Sequence, residues 1–300
     1  MKVLAPLALG ACVLATALTE DEFPALLNHS TIRFDRLQSK WELLSADKSN
    51  KNATKTKKPI FAPSPTRTRD HPLPDPTEPD PWSGLELNWP CLINDDFLEL
   101  GCRPVMFFFA RGSSQLGNMG RKPGPFIAKL LRDHYGFRNV SVQGVGYGAW
   151  VLGNLMKDGT DAKGINLMKQ LLHEAAVSCQ HSKIIVSGYS QGAAVVHAAF
   201  ETLEQEVIDR TNAIVLFGDT RTKYSNNTVA NFPRNKTLSL CNKKDIICEQ
   251  GRLILNDNHL DYTNRSEEAA QFIIKMLPDV PSKHGKLPFH PPPPRPQYRP

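Results

Sequence analysis

Beyond its first 17 residues the chain has no apolar run of about 18 residues, so no later segment is suited to cross a bilayer as a helix. It also lacks a G-x-G-x-x-G motif. The glycine-dense stretch Gly144-Val145-Gly146-Tyr147-Gly148 follows an apolar run but misses that spacing, and no acid-tipped second strand follows it. A nucleotide site is therefore not expected. Charge of one sign is missing from most of the chain as well: residues 31–70 hold ten Lys or Arg against four Asp or Glu, which accounts for the whole net charge of +6. A balanced remainder argues against nucleic acid as a partner.

That basic segment runs into a stretch with eight prolines between Pro59 and Pro81. Such composition cannot bury enough apolar surface to offset the entropy of ordering. Residues 18–90 are read as a flexible extension, with contact to an anionic cell-wall or membrane surface as its alternative role. Residues 279–300, ending HPPPPRPQYRP, form a second Pro-rich tail.

At the start of the chain, Lys2, a short apolar core and the triplet Ala15-Thr16-Ala17 read as a secretory signal peptide over residues 1–17. The mature protein is expected to be extracellular, which makes six sequons, at Asn28, Asn52, Asn139, Asn226, Asn235 and Asn264, plausible glycan acceptors. Cysteine is scarce. Cys12 leaves with the signal, and Cys91, Cys102, Cys179, Cys241 and Cys248 remain, an odd number in an oxidising route.

Residues 91–278 are left as one domain with a full core. Short apolar runs at 105–110, 140–142, 183–187, 213–217 and 237–241 alternate with helical patterns at 125–134, 164–179, 191–208 and 266–276. Near-continuous apolar strands separated by helices predict a mainly parallel sheet covered on both faces, a three-layer α/β/α sandwich.

Within that frame SGYSQGAAV, residues 187–195, places Ser190 in a G-x-S-x-G turn between a strand and a helix, the setting of a nucleophile elbow. The helix dipole there favours developing negative charge. The elbow's usual chain order is Ser, then Asp or Glu, then His. After Ser190 come His197, two turns along the same helix, His259, and His284 and His290 in the tail. Elimination leaves His259. Of the intervening acids, Asp209 ends a helix and Asp257 is too near His259, whereas Asp219 and Asp245 each follow a strand. Asp219 is a rival on position. Asp245 is preferred because a disulfide between Cys241 and Cys248 would close its loop and fix the carboxylate's direction.

Taken together, FFFARGSSQLGNMG (107–120), VQGVGYGAW (142–150), GYSQGAA (188–194), LFG (216–218), LCNKKDIICEQG (240–251) and NHLDY (258–262) resemble the cutinase family of secreted fungal serine esterases. The resemblance implies an α/β-hydrolase-like fold without a large lid, with Ser190 as nucleophile and Asp245 and His259 as its partners. It also implies an oxyanion hole from Ser113 and the backbone N–H of Gln191, and disulfides joining Cys102 to Cys179 and Cys241 to Cys248. The expected substrate is cutin or another aliphatic ester, hydrolysed without metal or cofactor. An acetylxylan esterase, and a non-catalytic secreted protein facing a wall or host, are the alternatives. Cys91 has no partner in the family pattern. The segment Leu255-Asn256-Asp257-Asn258 reads as more polar than the apolar lip expected beside a cleft for waxy polyester.

Overall fold

A computed structural model of the chain describes residues 92–283. The segments expected to form a signal peptide (1–17) and an extension (18–90), with Cys91, Asn28, Asn52, His284 and His290, lie outside the described residues.

Five strands form one all-parallel sheet: β1 (Val105–Ala110), β2 (Val140–Gly144), β3 (Lys183–Tyr189), β4 (Thr211–Phe217) and β5 (Thr237–Leu240). Every residue of β1 and β2 is buried, the pattern of strands covered on both faces. The α-helices of the described residues are α1 (Asp96–Leu100), α2 (Gly124–Tyr135), α3 (Ala162–Ser178), α4 (Gln191–Thr202), α5 (Gln205–Arg210), α6 (Thr222–Ser225), α7 (Ile246–Gln250), α8 (Asp257–Leu260) and α9 (Ser266–Met276), with short 3-10 turns between them. Alternation along each strand splits the core in two. Met106, Phe108, Ile184, Val186, Ile214 and Leu216 face α3 and α4. Phe107, Phe109, Ile185, Val215 and Phe217 face α2 and α9. The three layers agree with the expectation from sequence.

The one long helix expected over 191–208 is instead two. Leu203 and Glu204 are extended between α4 and α5. Leu203 turns into the core, and the Lys169 ammonium donates to the Thr202 carbonyl at 2.9 Å, so tertiary contacts end a run that propensity alone would continue.

Strand order across the sheet is β2-β1-β3-β4-β5. The chain winds outward from β1 to β2, then crosses back to β3, so the winding direction reverses between β1 and β3. In open α/β sheets the crevice at the carboxyl ends of such a strand pair is where ligands bind. Ala110 pairs with Gly188, Tyr189 with Phe217, and Phe217 with Leu240. The segments leaving β1, β3, β4 and β5 therefore emerge along one edge, and they carry Ser113, Ser190, Asp219 and Asp245.

Candidate active site

Ser190 follows β3 directly and takes the N-cap position of α4 with φ 56 and ψ −118, backbone that a residue with a side chain rarely adopts. Its own amide donates to the Phe217 carbonyl at 2.9 Å. The flanking glycines permit the turn sterically: a Cβ on Gly188 would lie 2.4 Å from the Gly192 carbonyl oxygen, and one on Gly192 would lie 2.0 Å from that of Ala110.

Ser190 Oγ lies 2.9 Å from Nε2 of His259, whose Nδ1 lies 2.8 Å from Oδ2 of Asp245. His259 and Asp245 are fully enclosed, and only Ser190 keeps a sliver of exposure. His259 is 69 positions after Ser190 and 14 after Asp245 in the sequence. Asp245 caps α7, its Oδ1 accepting from the Ile247 amide at 2.9 Å. The Cys241–Cys248 disulfide closes this loop, and a second disulfide joins Cys102 to Cys179.

Burial works to raise the Asp245 carboxyl, but hydrogen bonds from His259 and Tyr262, the charge of His259 and the Ile247 amide outweigh it and hold the group below the ordinary carboxylate range. Tyr262 is a residue that sequence reasoning passed over. Its hydroxyl donates to Asp245 Oδ2 at 2.5 Å while accepting from the Asn242 amide at 2.9 Å. Burial, then the bond to Asp245, push the Tyr262 hydroxyl far above its usual range, so it stays protonated and can donate. Tyr189 flanks the histidine from the other side. Its ring stacks on His259 at 5.5 Å, and its hydroxyl donates to the His259 carbonyl at 2.6 Å.

Asp219, the rival acid, is equally buried but points elsewhere, its Oδ2 lying 2.9 Å from Nε2 of His197. Gly112 sits against Ser190, since a Cβ there would lie 3.4 Å from that of the serine, and this brings the neighbouring Ser113 to the same edge. Asn154 donates to Ser113 Oγ at 2.9 Å, leaving the serine's own proton to point elsewhere. The Gln191 amide is the first of α4 and has no intrahelical partner.

Two exposed apolar segments border this edge. Trp150, Val151, Leu152, Leu155 and Met156 are 55–74% exposed, and Leu253, Ile254 and Leu255 are 48–62% exposed. The polar lip read from residues 255–258 thus begins on an exposed leucine, is preceded by Leu253 and Ile254, and is faced by five more apolar residues. A cleft of about 380 Å³ between the two segments is lined by Asn154, Met156, Thr220 and Leu253, among others.

A family model described as cutinase matches residues 101–277. This chain belongs to the cutinase family. Cutinase CUT2 of Pyricularia oryzae is 41% identical over 183 residues, which cover 61% of this chain and 85% of that protein. Cutinase 1 of Fusarium vanettenii is 37% identical over 62% of this chain and 80% of its own length. Among solved structures, the Trichoderma reesei cutinase in complex with a phosphonate inhibitor superposes with a TM-score of 0.55 at 33% identity, over 62% of this chain and 80% of that one. Membership in the cutinase family makes the chain a serine carboxylic ester hydrolase.

Proposed function

We infer that this cutinase-family protein hydrolyses aliphatic esters, cutin-like polyester foremost, through Ser190, His259 and Asp245. The observation that carries the reading is the unbroken chain of contacts from Ser190 Oγ through the His259 ring to Asp245, begun at a strained elbow. Ser190 Oγ attacks the ester carbonyl carbon and His259 Nε2 takes its proton. The oxygen that becomes negative is met by Ser113 and the Gln191 amide at the positive end of α4. The C–O bond to the alcohol breaks as His259 returns the proton to the leaving oxygen. Water then attacks the acyl carbon and gives a proton to His259; the bond from that carbon to Ser190 Oγ breaks, His259 returns the proton to Oγ, and the acid departs. Asp245 holds the imidazole in the tautomer that presents a bare Nε2 and stabilises the imidazolium.

The apolar segments at 150–156 and 253–255 support an aliphatic substrate over acetylated xylan, which asks for groups that bond hydroxyls. The signal sequence supports action outside the cell, and the names of the relatives support cutin. The test is release of hydroxy fatty acids from cutin against acetate from acetylated xylan, with a series of p-nitrophenyl esters of increasing acyl length. Cutin monomers should dominate, and Ser190→Ala should abolish turnover while the thermal transition persists. Appreciable hydrolysis by folded Ser190→Ala, or acetate as the main product, overturns the reading.

A further inference from the structure

The fold contains a second buried histidine–carboxylate pair, which the mechanism above does not use. His197 lies on α4, two turns after Ser190, and Asp219 follows β4; their exposures are 6% and 0%. Nε2 of His197 stands 2.9 Å from Oδ2 of Asp219. The other carboxylate oxygen accepts from the Arg221 amide at 2.8 Å, and the Asp219 carbonyl accepts from the Thr222 hydroxyl at 2.9 Å. Asp219 thus fastens its own turn with one oxygen and reaches across to α4 with the other.

What that turn touches gives the pair its meaning. Phe217, at its start, accepts the Ser190 amide. Gly218 has φ 51, and a Cβ on it would lie 2.8 Å from Cε1 and 3.0 Å from Nδ1 of His259, so the bare backbone there is the surface on which the imidazole edge rests. Thr220 Oγ1 lies 3.5 Å from the Ser190 carbonyl. Residues 217–220 therefore contact both Ser190 and His259. The bond from His197 ties these four residues to the helix that Ser190 begins.

We propose that His197 and Asp219 are positioning residues, which set the separation of Ser190 Oγ and His259 Nε2 by clamping the 217–220 turn to α4. The proposal rests on the assignment of Ser190 and His259 above. Without the clamp the turn keeps its own bonds, the Gly218 amide to the Leu240 carbonyl at 2.9 Å and the Arg221 amide to Asp219 at 2.8 Å, but loses its buried side-chain tie to α4, and the surface under His259 shifts. A shift of the order of 1 Å between reacting groups costs about 100-fold in rate. Such a loss falls on kcat, because neither residue meets the bound ester.

The experiment measures kcat and KM on a soluble p-nitrophenyl ester for His197→Leu, His197→Gln and His197→Asn, each normalised to active sites counted by a phosphonate titrant. A glutamine amide can occupy the position of Nε2 and donate to Asp219, whereas asparagine is too short. The expected result is a 10- to 100-fold loss of kcat per titrated site in His197→Leu with KM within about threefold of wild type, and recovery to within about threefold in His197→Gln. A kcat per site in His197→Leu within twofold of wild type overturns the proposal, whatever its melting temperature. If His197→Leu yields no titratable protein, the comparison of His197→Gln with His197→Asn decides, and equal kcat per site in those two overturns it. Ser190→Ala, assayed in parallel, separates the two readings: titration or turnover surviving in it refutes the Ser190 assignment, independently of the His197 series.

Discussion

Replacing Tyr262 by phenylalanine removes one oxygen from the fully buried surroundings of Asp245. Oδ2 of that carboxylate receives both His259 Nδ1–H and the Tyr262 hydroxyl, and Oδ1 receives the Ile247 amide. A hydrogen bond to a charged group contributes about 1.5–3 kcal/mol. The Asn242 amide, which also loses its partner, is only partly buried and water reaches it at small cost. A loss of about 2 kcal/mol at neutral pH follows, or about 4–8 °C in Tm for a domain of this size. Catalysis should suffer less than from direct damage to the acid. Asp245 keeps its charge and its bond to His259, so kcat should fall about tenfold, corresponding to about 1.4 kcal/mol, against about 10⁴-fold for Asp245→Asn. The pH dependence has a definite sign. The folded-state pKa of Asp245 is depressed below the ordinary 3.8, so its stabilisation is complete above that value and is lost as pH falls through the native one. Tyr262 contributes to the depression. The gap in Tm between wild type and Tyr262→Phe should therefore be full at neutral pH and close in strong acid. Thermal unfolding by circular dichroism across this range, with kcat on a soluble ester at neutral pH, makes the test. An unchanged Tm at neutral pH, or a gap that persists undiminished in strong acid, would refute the reasoning.

The two disulfides should separate stability from turnover. Chain entropy assigns about 4.5 kcal/mol to Cys102–Cys179, with its separation of 77 residues, and about 2.4 kcal/mol to Cys241–Cys248, with a separation of 7. Paired Cys→Ser variants should lower Tm more at the first bridge and kcat more at the second, which encloses Asp245; equal effects on kcat would count against the orienting role of the short loop. Among the described sequons, Asn226, Asn235 and Asn264 are exposed, while Asn139 is partly buried and its amide donates to the Tyr135 carbonyl at 2.8 Å. Peptide mapping after secretion from a eukaryotic host should find glycan at the exposed sites and an unmodified Asn139, and a glycan on Asn139 would contradict this.

Much of this was legible in the sequence because its causes are local or periodic. Continuous apolar runs such as 105–110 read as fully covered strands, and of Phe126, Ile127, Leu130 and Leu131, whose helical spacing predicts α2, Ile127 and Leu131 lie in the core while Leu130 is half-buried and Phe126 exposed. His259 could be read by elimination because few histidines follow the elbow, whereas Asp245 was preferred to its rival Asp219 only for the loop that Cys241 and Cys248 would close. Tyr262 was not legible, since nothing in its spacing three residues beyond His259 indicates that its hydroxyl reaches a carboxylate 17 residues earlier. The same holds for His197, which reads as a packed or surface histidine on its helix, and for Asp219, whose position after a strand suited either role. The apolar border was missed for another reason: Trp150–Met156 and Leu253–Leu255 are apolar yet exposed, and periodicity cannot distinguish a border from a core.

The contrast reflects two kinds of constraint. At the elbow the limiting quantity is backbone space, and only glycine satisfies it: with Ser190 at φ 56, carbonyl oxygens lie closer to Gly188 and Gly192 than any side chain tolerates. Holding a residue in such a conformation costs about 1–3 kcal/mol and persists only where neighbours over-determine it. Here the neighbours are the Ser190 amide bonded to Phe217 and the Ser190 carbonyl accepting from the Ala193 amide at 2.9 Å. A constraint of that kind writes itself into five consecutive letters. The groups around His259 and Asp245 answer to a weaker demand, that some donor or acceptor arrive from any direction at about 2.8 Å. Tyr189 meets it from β3, Tyr262 from the segment after α8 and Ile247 from α7. Each could be supplied by other residues on other elements, so the sequence carries no fixed signature for them. For the same reason their substitution should grade activity by steps of about tenfold, where a side chain at Gly188 or Gly192 should prevent the elbow from forming.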